Sequence, residues 1–210
     1  KTTMSYGYGL NVTPLQIATA YSALANGGKL IAPTFVKGQR NEAHQIIDEN
    51  VARQVVAMME TVVTQGGAKQ AAVLGYRVAG KTGTARKTGP GGYERGHYNA
   101  LFAGVVPATN PRFATVIVIN DPQAGKFYGG LVSAPVYHNV MEGTLRLMDV
   151  PLDDLQSWLA AQQSGKVGHS ASILPAPPAE TALPVDAAAE FDAALPSAHA
   201  QTPPTTGGTQ

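Results

Sequence analysis

Residues 75 to 84 read Gly75-Tyr76-Arg77-Val78-Ala79-Gly80-Lys81-Thr82-Gly83-Thr84, a run whose residue types and spacing permit two unrelated chemistries. Counted from Gly75, it satisfies the pattern glycine, four residues, glycine, lysine, threonine. In that pattern backbone N–H groups wrap phosphate oxygens while the lysine adds positive charge. Counted from Lys81, it is a Lys-Thr-Gly-Thr tetrad. On an extended strand the tetrad sets one fixed positive charge and two hydroxyls around Gly83, which lacks a side chain.

Context separates the two. A phosphate loop needs a strand before its first glycine and a helix starting near its Lys-Thr pair. Upstream, Ala68 to Leu74 is alanine-rich and short for a strand. Downstream lie Gly83, Gly89, Pro90, Gly91 and Gly92, a poor helix start, since glycine costs about 1 kcal/mol and proline about 3 kcal/mol relative to alanine in a helix interior. Tyr76 and Val78 alternate with Arg77 and Ala79, which predicts an extended segment, and the Gly89 to Gly92 cluster predicts a hairpin loop. Val116 to Asp121 imitates the acidic strand end of nucleotide hydrolases. Yet residues 84 to 112 offer no crossover helix to join parallel strands.

Composition bounds the answer. With 44% hydrophobic and 14% charged residues and a net charge of +1, the chain is globular and has no electrostatic basis for binding nucleic acid. No apolar run reaches the length of a membrane span, and Lys1-Thr2-Thr3-Met4-Ser5 does not open a signal peptide. Lys1 in place of methionine reads as the start of a fragment. The absence of cysteine excludes disulfides and thiolate metal sites. The histidines, His44, His97, His138, His169 and His199, lack ligand spacing, so neither a metal nor a cofactor is expected. Seven of the fifteen prolines fall in the last 46 residues. Residues 151–210 therefore read as a linker and a disordered Ala/Pro-rich tail, leaving residues 1–150 as the folded part.

Within that part, Thr13, Pro14 and Gln16 form a helix-start signature with Val12 and Ile17 as a hydrophobic staple. Gly27-Gly28 stop the helix, whose inner face is Ile17, Tyr21 and Leu24. A second helix is predicted from Asp48 to Gln65, burying Val51, Val55, Met58, Met59 and Val62. Strands follow at 76–86, 98–106 and 113–119. A last helix is predicted after Ser133-Ala134-Pro135, with Val140, Leu145 and Leu147 as its apolar content. Asp153-Asp154 reads as a solvated turn or helix start, and Asp121 as a turn carboxylate. Helices, then an antiparallel meander, then a helix laid on the sheet make a mixed α+β or α/β domain.

Four separate segments carry a family likeness: Ser5 to Gln16, Gly75 to Lys87, Phe102 to Ala108, and Tyr128 to Val136. Together they resemble the class B penicillin-binding proteins, and within that class the septal cell-division transpeptidases. The resemblance covers about residues 1 to 150. It implies the C-terminal part of a penicillin-binding, β-lactamase-like transpeptidase domain, with an antiparallel central sheet flanked by helices. The partners it implies are peptidoglycan stem peptides ending in D-Ala-D-Ala, β-lactams, and divisome proteins including a glycosyltransferase. It also implies an inner-membrane protein with this domain in the periplasm, the anchor lying outside these residues.

By the same resemblance, Lys81 bonds the serine of an S-x-N motif and assists the proton relay. Thr82 and Thr84 offer hydroxyls to the substrate carboxylate, Gly83 admits the peptide, and the Thr84 N–H forms half of an oxyanion hole. Arg86, Phe127 and Tyr128 line the cleft, although a strand-end arginine and two packing aromatics fit them equally. A working member also needs an S-x-x-K nucleophile box and an S-x-N box. Neither pattern occurs at any serine of the 210 residues. The chain therefore reads as truncated, from a parent that is a serine D,D-transpeptidase, and as unable to acylate alone. Two alternatives stand beside this: a nucleotide hydrolase, and a noncatalytic peptide-binding or divisome interaction module.

Overall fold

A computed structural model describes residues 10–89, 92–123 and 125–164. The expected tail, the start of the Ser5 to Gln16 segment, and Pro90-Gly91 lie outside the described residues. Helix α1 spans Pro14–Ala25. Gln16 Oε1 accepts the Thr13 N–H at 2.8 Å while Thr13 Oγ1 accepts the Gln16 N–H at 3.2 Å, so each end of the box satisfies a donor the first turn leaves open. At the other end Gly27 and Gly28 sit at φ 63° and 83°, and the Gly28 N–H returns to Ala23 O at 2.8 Å.

Helix α2 (Glu49–Thr64) is capped by Asp48, whose carboxylate accepts from the Asn50 and Val51 N–H groups. Its buried side differs from the predicted one. Ala52, Val56 and Val63 are buried, Met59 and Val62 are partly covered, and Val51 and Met58 are exposed. Apolar residues occur on more than half of this helix, so periodicity leaves the inner stripe free to rotate by one position. Packing settles it: Val56 meets Ala79, Val105 and Ala108 in one core cluster, with Tyr21 and Leu24 of α1 against it. A small two-stranded sheet, β1 (Lys29–Ile31) and β2 (Ala43–Gln45), joins the two helices and was not foreseen.

The central sheet is the predicted meander, β3 (Ala79–Gly89), β4 (Gly92–Val106) and β5 (Phe113–Asn120), antiparallel and in sequence order. β4 lies in the middle, and its segment from Phe102 to Val106 is buried. Helix α3 (Gly129–Leu147) covers one face through Ser133, Ala134, Tyr137, Met141 and Leu145. It begins at Gly129, ahead of the Ser133-Ala134-Pro135 run after which a helix is predicted, and Pro135 sits inside it. Propensity argues against two leading glycines, but contact requires them. A Cβ on Gly129 would stand 2.2 Å from Leu101 O, and one on Gly130 would stand 2.0 Å from Gly67 O. Of the predicted apolar residues only Leu145 is buried, Val140 and Leu147 facing outward.

After α3 the chain returns to the start of the sheet. Asp153 accepts from the Arg77 N–H at 2.8 Å and from the Thr109 hydroxyl at 2.7 Å, and the Tyr76 hydroxyl donates to Val150 O at 2.6 Å. Asp153 is thus a structural tie. Asp154 caps a further helix, α4 (Leu155–Gln163), so the helix-start reading of Asp153-Asp154 holds at Asp154, although the helix lies within residues expected to be linker. Leu152 and Trp158 pack on Gly75, which lies at φ 83° in a turn. No described helix is long and apolar enough to cross a membrane.

Two outcomes test this packing. Gly130→Ala should lower stability by about 1–3 kcal/mol because backbone must move, whereas Gly143→Ala, where a Cβ meets nothing within 4 Å, should be neutral or stabilising in the same denaturant titration. Asp121, at the end of β5, accepts from His97 Nδ1 at 3.0 Å. That hydrogen bond first, and then the charges of His97 and Lys87, hold its pKa below the ordinary 3.8. A lowered carboxylate stabilises the fold above its ordinary value and loses that contribution as pH falls through the lowered one. Asp121→Asn should therefore melt below the parent at neutral pH, and the gap should close as the pH falls through the lowered pKa of Asp121.

Candidate active site

The site is built on β3. Its residues are extended and in continuous register with β4 from Ala79 opposite Val105 to Arg86 opposite Tyr98. The tetrad falls inside that run: Lys81 faces Ala103, Thr82 faces Phe102, Gly83 faces Leu101 and Thr84 faces Ala100. No helix starts at Lys81-Thr82, and Gly75 belongs to a separate turn. The phosphate-loop alternative is therefore wrong, because its amides would have to curl around an anion where these run straight along a sheet. β3 pairs only with β4 among the described strands, so its other edge is open to an added strand.

Side chains two residues apart share a face, and Thr82 and Thr84 both line a cleft of about 390 Å³. Its opposite walls are Gly66, Gly67, Lys69 and Gln70, and the first turn of α3 from Tyr128 to Leu131. The Gly129 N–H donates to Thr84 Oγ1 at 3.2 Å. That hydroxyl keeps its own proton to donate to a group in the cleft. Tyr128 gives α3 no side-chain cap, and the positive end of the helix dipole lies at the cleft. Hydroxyl donors, a helix N-terminus and a lysine at the rim suit an anionic group such as a carboxylate.

The other predicted residues are distributed around this cleft. Lys81 is exposed, and its ammonium donates to Thr82 O at 2.8 Å, off the cleft wall. Gly83 lies under Leu101, whose side chain a Cβ would meet at 2.8 Å. Arg86 is partly buried beside Tyr98 across the strands, just before an irregularity in the register. Phe127 stacks on Tyr98 with ring centroids 4.2 Å apart and leans on Tyr128 at 4.6 Å. Tyr128 lines the cleft, while Phe127 supports it from behind. Lys69 and Gln70, on a short 3-10 helix (Lys69–Ala71), also line it and were missed. The only sequence signal was the Gly66-Gly67 stop before them. A larger cavity of about 800 Å³, between α2 and the start of α4, holds none of the predicted residues.

Comparison with known proteins agrees with this geometry. Residues 1–142 match the family described as the penicillin binding protein transpeptidase domain. Peptidoglycan D,D-transpeptidase FtsI of Escherichia coli K12 is 49% identical over 184 residues, covering 81% of this chain and 30% of the relative. The probable peptidoglycan D,D-transpeptidase PbpC of Pseudomonas aeruginosa is 42% identical over 155 residues, covering 73% of this chain and 27% of the relative. The chain thus spans under a third of the length of these curated relatives. Among solved structures, the apo transpeptidase domain of penicillin-binding protein 3 from Burkholderia pseudomallei superposes with a TM-score of 0.65 at 41% identity, over 72% of this chain and 47% of that one. An open strand edge carrying Lys-Thr-Gly-Thr, a matched domain signature and nearly half-identical relatives lead to one assignment: this chain belongs to the penicillin-binding protein transpeptidase domain family.

Proposed function

We propose that these residues form the C-terminal part of a serine D,D-transpeptidase domain that cross-links peptidoglycan stem peptides at the division septum. The observation that carries the proposal is the open edge of β3, with Thr82 and Thr84 turned into one cleft and Gly129 fixing the Thr84 hydroxyl. A peptide ending in D-Ala-D-Ala lies along that edge as an added strand, its carboxylate held by the two hydroxyls. The serine attacks the penultimate carbonyl and its oxygen bonds to that carbon. D-alanine leaves, taking a proton from the relay in which Lys81 participates, and the acyl-enzyme remains. The Thr84 N–H is one of two donors for the tetrahedral oxyanion. An acceptor amine of a second stem peptide then displaces the serine.

β-Lactams enter the same cleft because they carry a carboxylate beside a strained amide. The nucleophile and the S-x-N serine come from a preceding half of the domain, since no serine of these residues has either pattern. Arg86, Phe127 and Tyr128 shape the wall. The parent protein is anchored in the inner membrane with this domain in the periplasm, where it meets divisome proteins including a glycosyltransferase.

Covalent labelling by a fluorescent penicillin tests this reading. The complete protein should label, Lys81→Ala should abolish labelling, and Thr84→Val should slow it by roughly tenfold or more, since a lost hydrogen bond to a charged group costs about 1.5–3 kcal/mol. Thr84→Ser should retain most of the rate. The 210-residue chain alone should not label, and covalent adduct on it would refute the assignment of the nucleophile to a preceding half.

A further inference from the structure

We infer that Lys69 is a specificity-determining residue, a cation that meets the substrate carboxylate from the cleft wall facing Thr82 and Thr84. The inference rests on the transpeptidase reading. Among the described residues, Lys69 is the one charged side chain lining the cleft of Thr82 and Thr84. Lys81 is not part of that wall; its ammonium donates to Thr82 O at 2.8 Å and reaches the Thr82 hydroxyl at 3.5 Å from the strand edge, leaving Lys69 as the cation on the wall across from it.

The backbone beneath Lys69 is fixed. Ala68 and Ala71 are fully buried, the Ala71 N–H returns to Ala68 O at 2.9 Å, and Gly67 is pressed against Gly130. Only the side chain has freedom, which suits a flexible ammonium closing over an anion that already sits on two hydroxyls. The charge then acts mainly in binding the acyl donor and little in the bond-breaking step.

The test is the acylation kinetics of the complete protein with a carboxylate-bearing penicillin and with the same compound as its neutral methyl ester. Lys69→Met should lower the second-order acylation constant for the acid by about tenfold, through weaker binding with an unchanged limiting rate. Lys69→Arg should retain the parental value, and the ester should react equally with parent and Lys69→Met. The difference for the acid should also shrink as salt is raised, because screening removes an exposed charge. A Lys69→Met protein within twofold of the parent on the acid, or equally impaired on acid and ester, overturns the inference while leaving the transpeptidase reading intact. A parent that no penicillin acylates overturns both.

Discussion

The fold depends on a backbone-to-backbone approach that side chains would prevent. The first turn of α3 is laid directly on the carbonyls of β3, β4 and the segment after α2, at Gly83, Leu101 and Gly67, with no Cβ between. This contact converts the Gly129 N–H, a donor with no partner inside its own helix, into a fixed bond to Thr84. It also brings the segment carrying Lys69 to the same place. Position and chemistry thus arise from one steric requirement, and the glycines that weaken the helix intrinsically are those that locate the site.

Behind the cleft, the core is arranged to keep β3 straight. Phe102 fills the space beside Gly80, where a Cβ would stand 2.3 Å from its ring, and it meets Tyr137 edge-on at 4.8 Å. Burial raises the Tyr137 hydroxyl well above its ordinary pKa, so it stays neutral and acts as packing. Phe127 and Tyr98 stack at the far end. The strand is therefore gripped along its inner side and left open at its edge, the asymmetry an added strand requires.

Much of this was legible in the sequence where the signal is local. The Thr13-Pro14-Gln16 box states its own hydrogen bonds, and the glycines and proline after Thr84 argue against a helix there. What escaped depended on partners distant in the chain. The inner stripe of α2 is decided by Ala79 and Val105, not by its own periodicity. The start of α3 reads as a loop until Gly67 and Leu101 are known to touch it. Lys69 and Gln70 carry no pattern of their own and reach the cleft only because the chain folds back from α2 to β3. Among the proposed site residues, local sequence marked the tetrad, and tertiary structure supplied the opposite wall.

The carboxylate of Asp153 reaches 76 positions back to the Arg77 amide and 44 back to Thr109. A shortened version ending near residue 150, the predicted end of the folded part, would leave those amides and the bed of Gly75 without their clasp. The strand that carries the tetrad begins two residues after Arg77. Choice of endpoint is thus a choice about the rigidity of the proposed site, although Asp153 itself does not line its cleft.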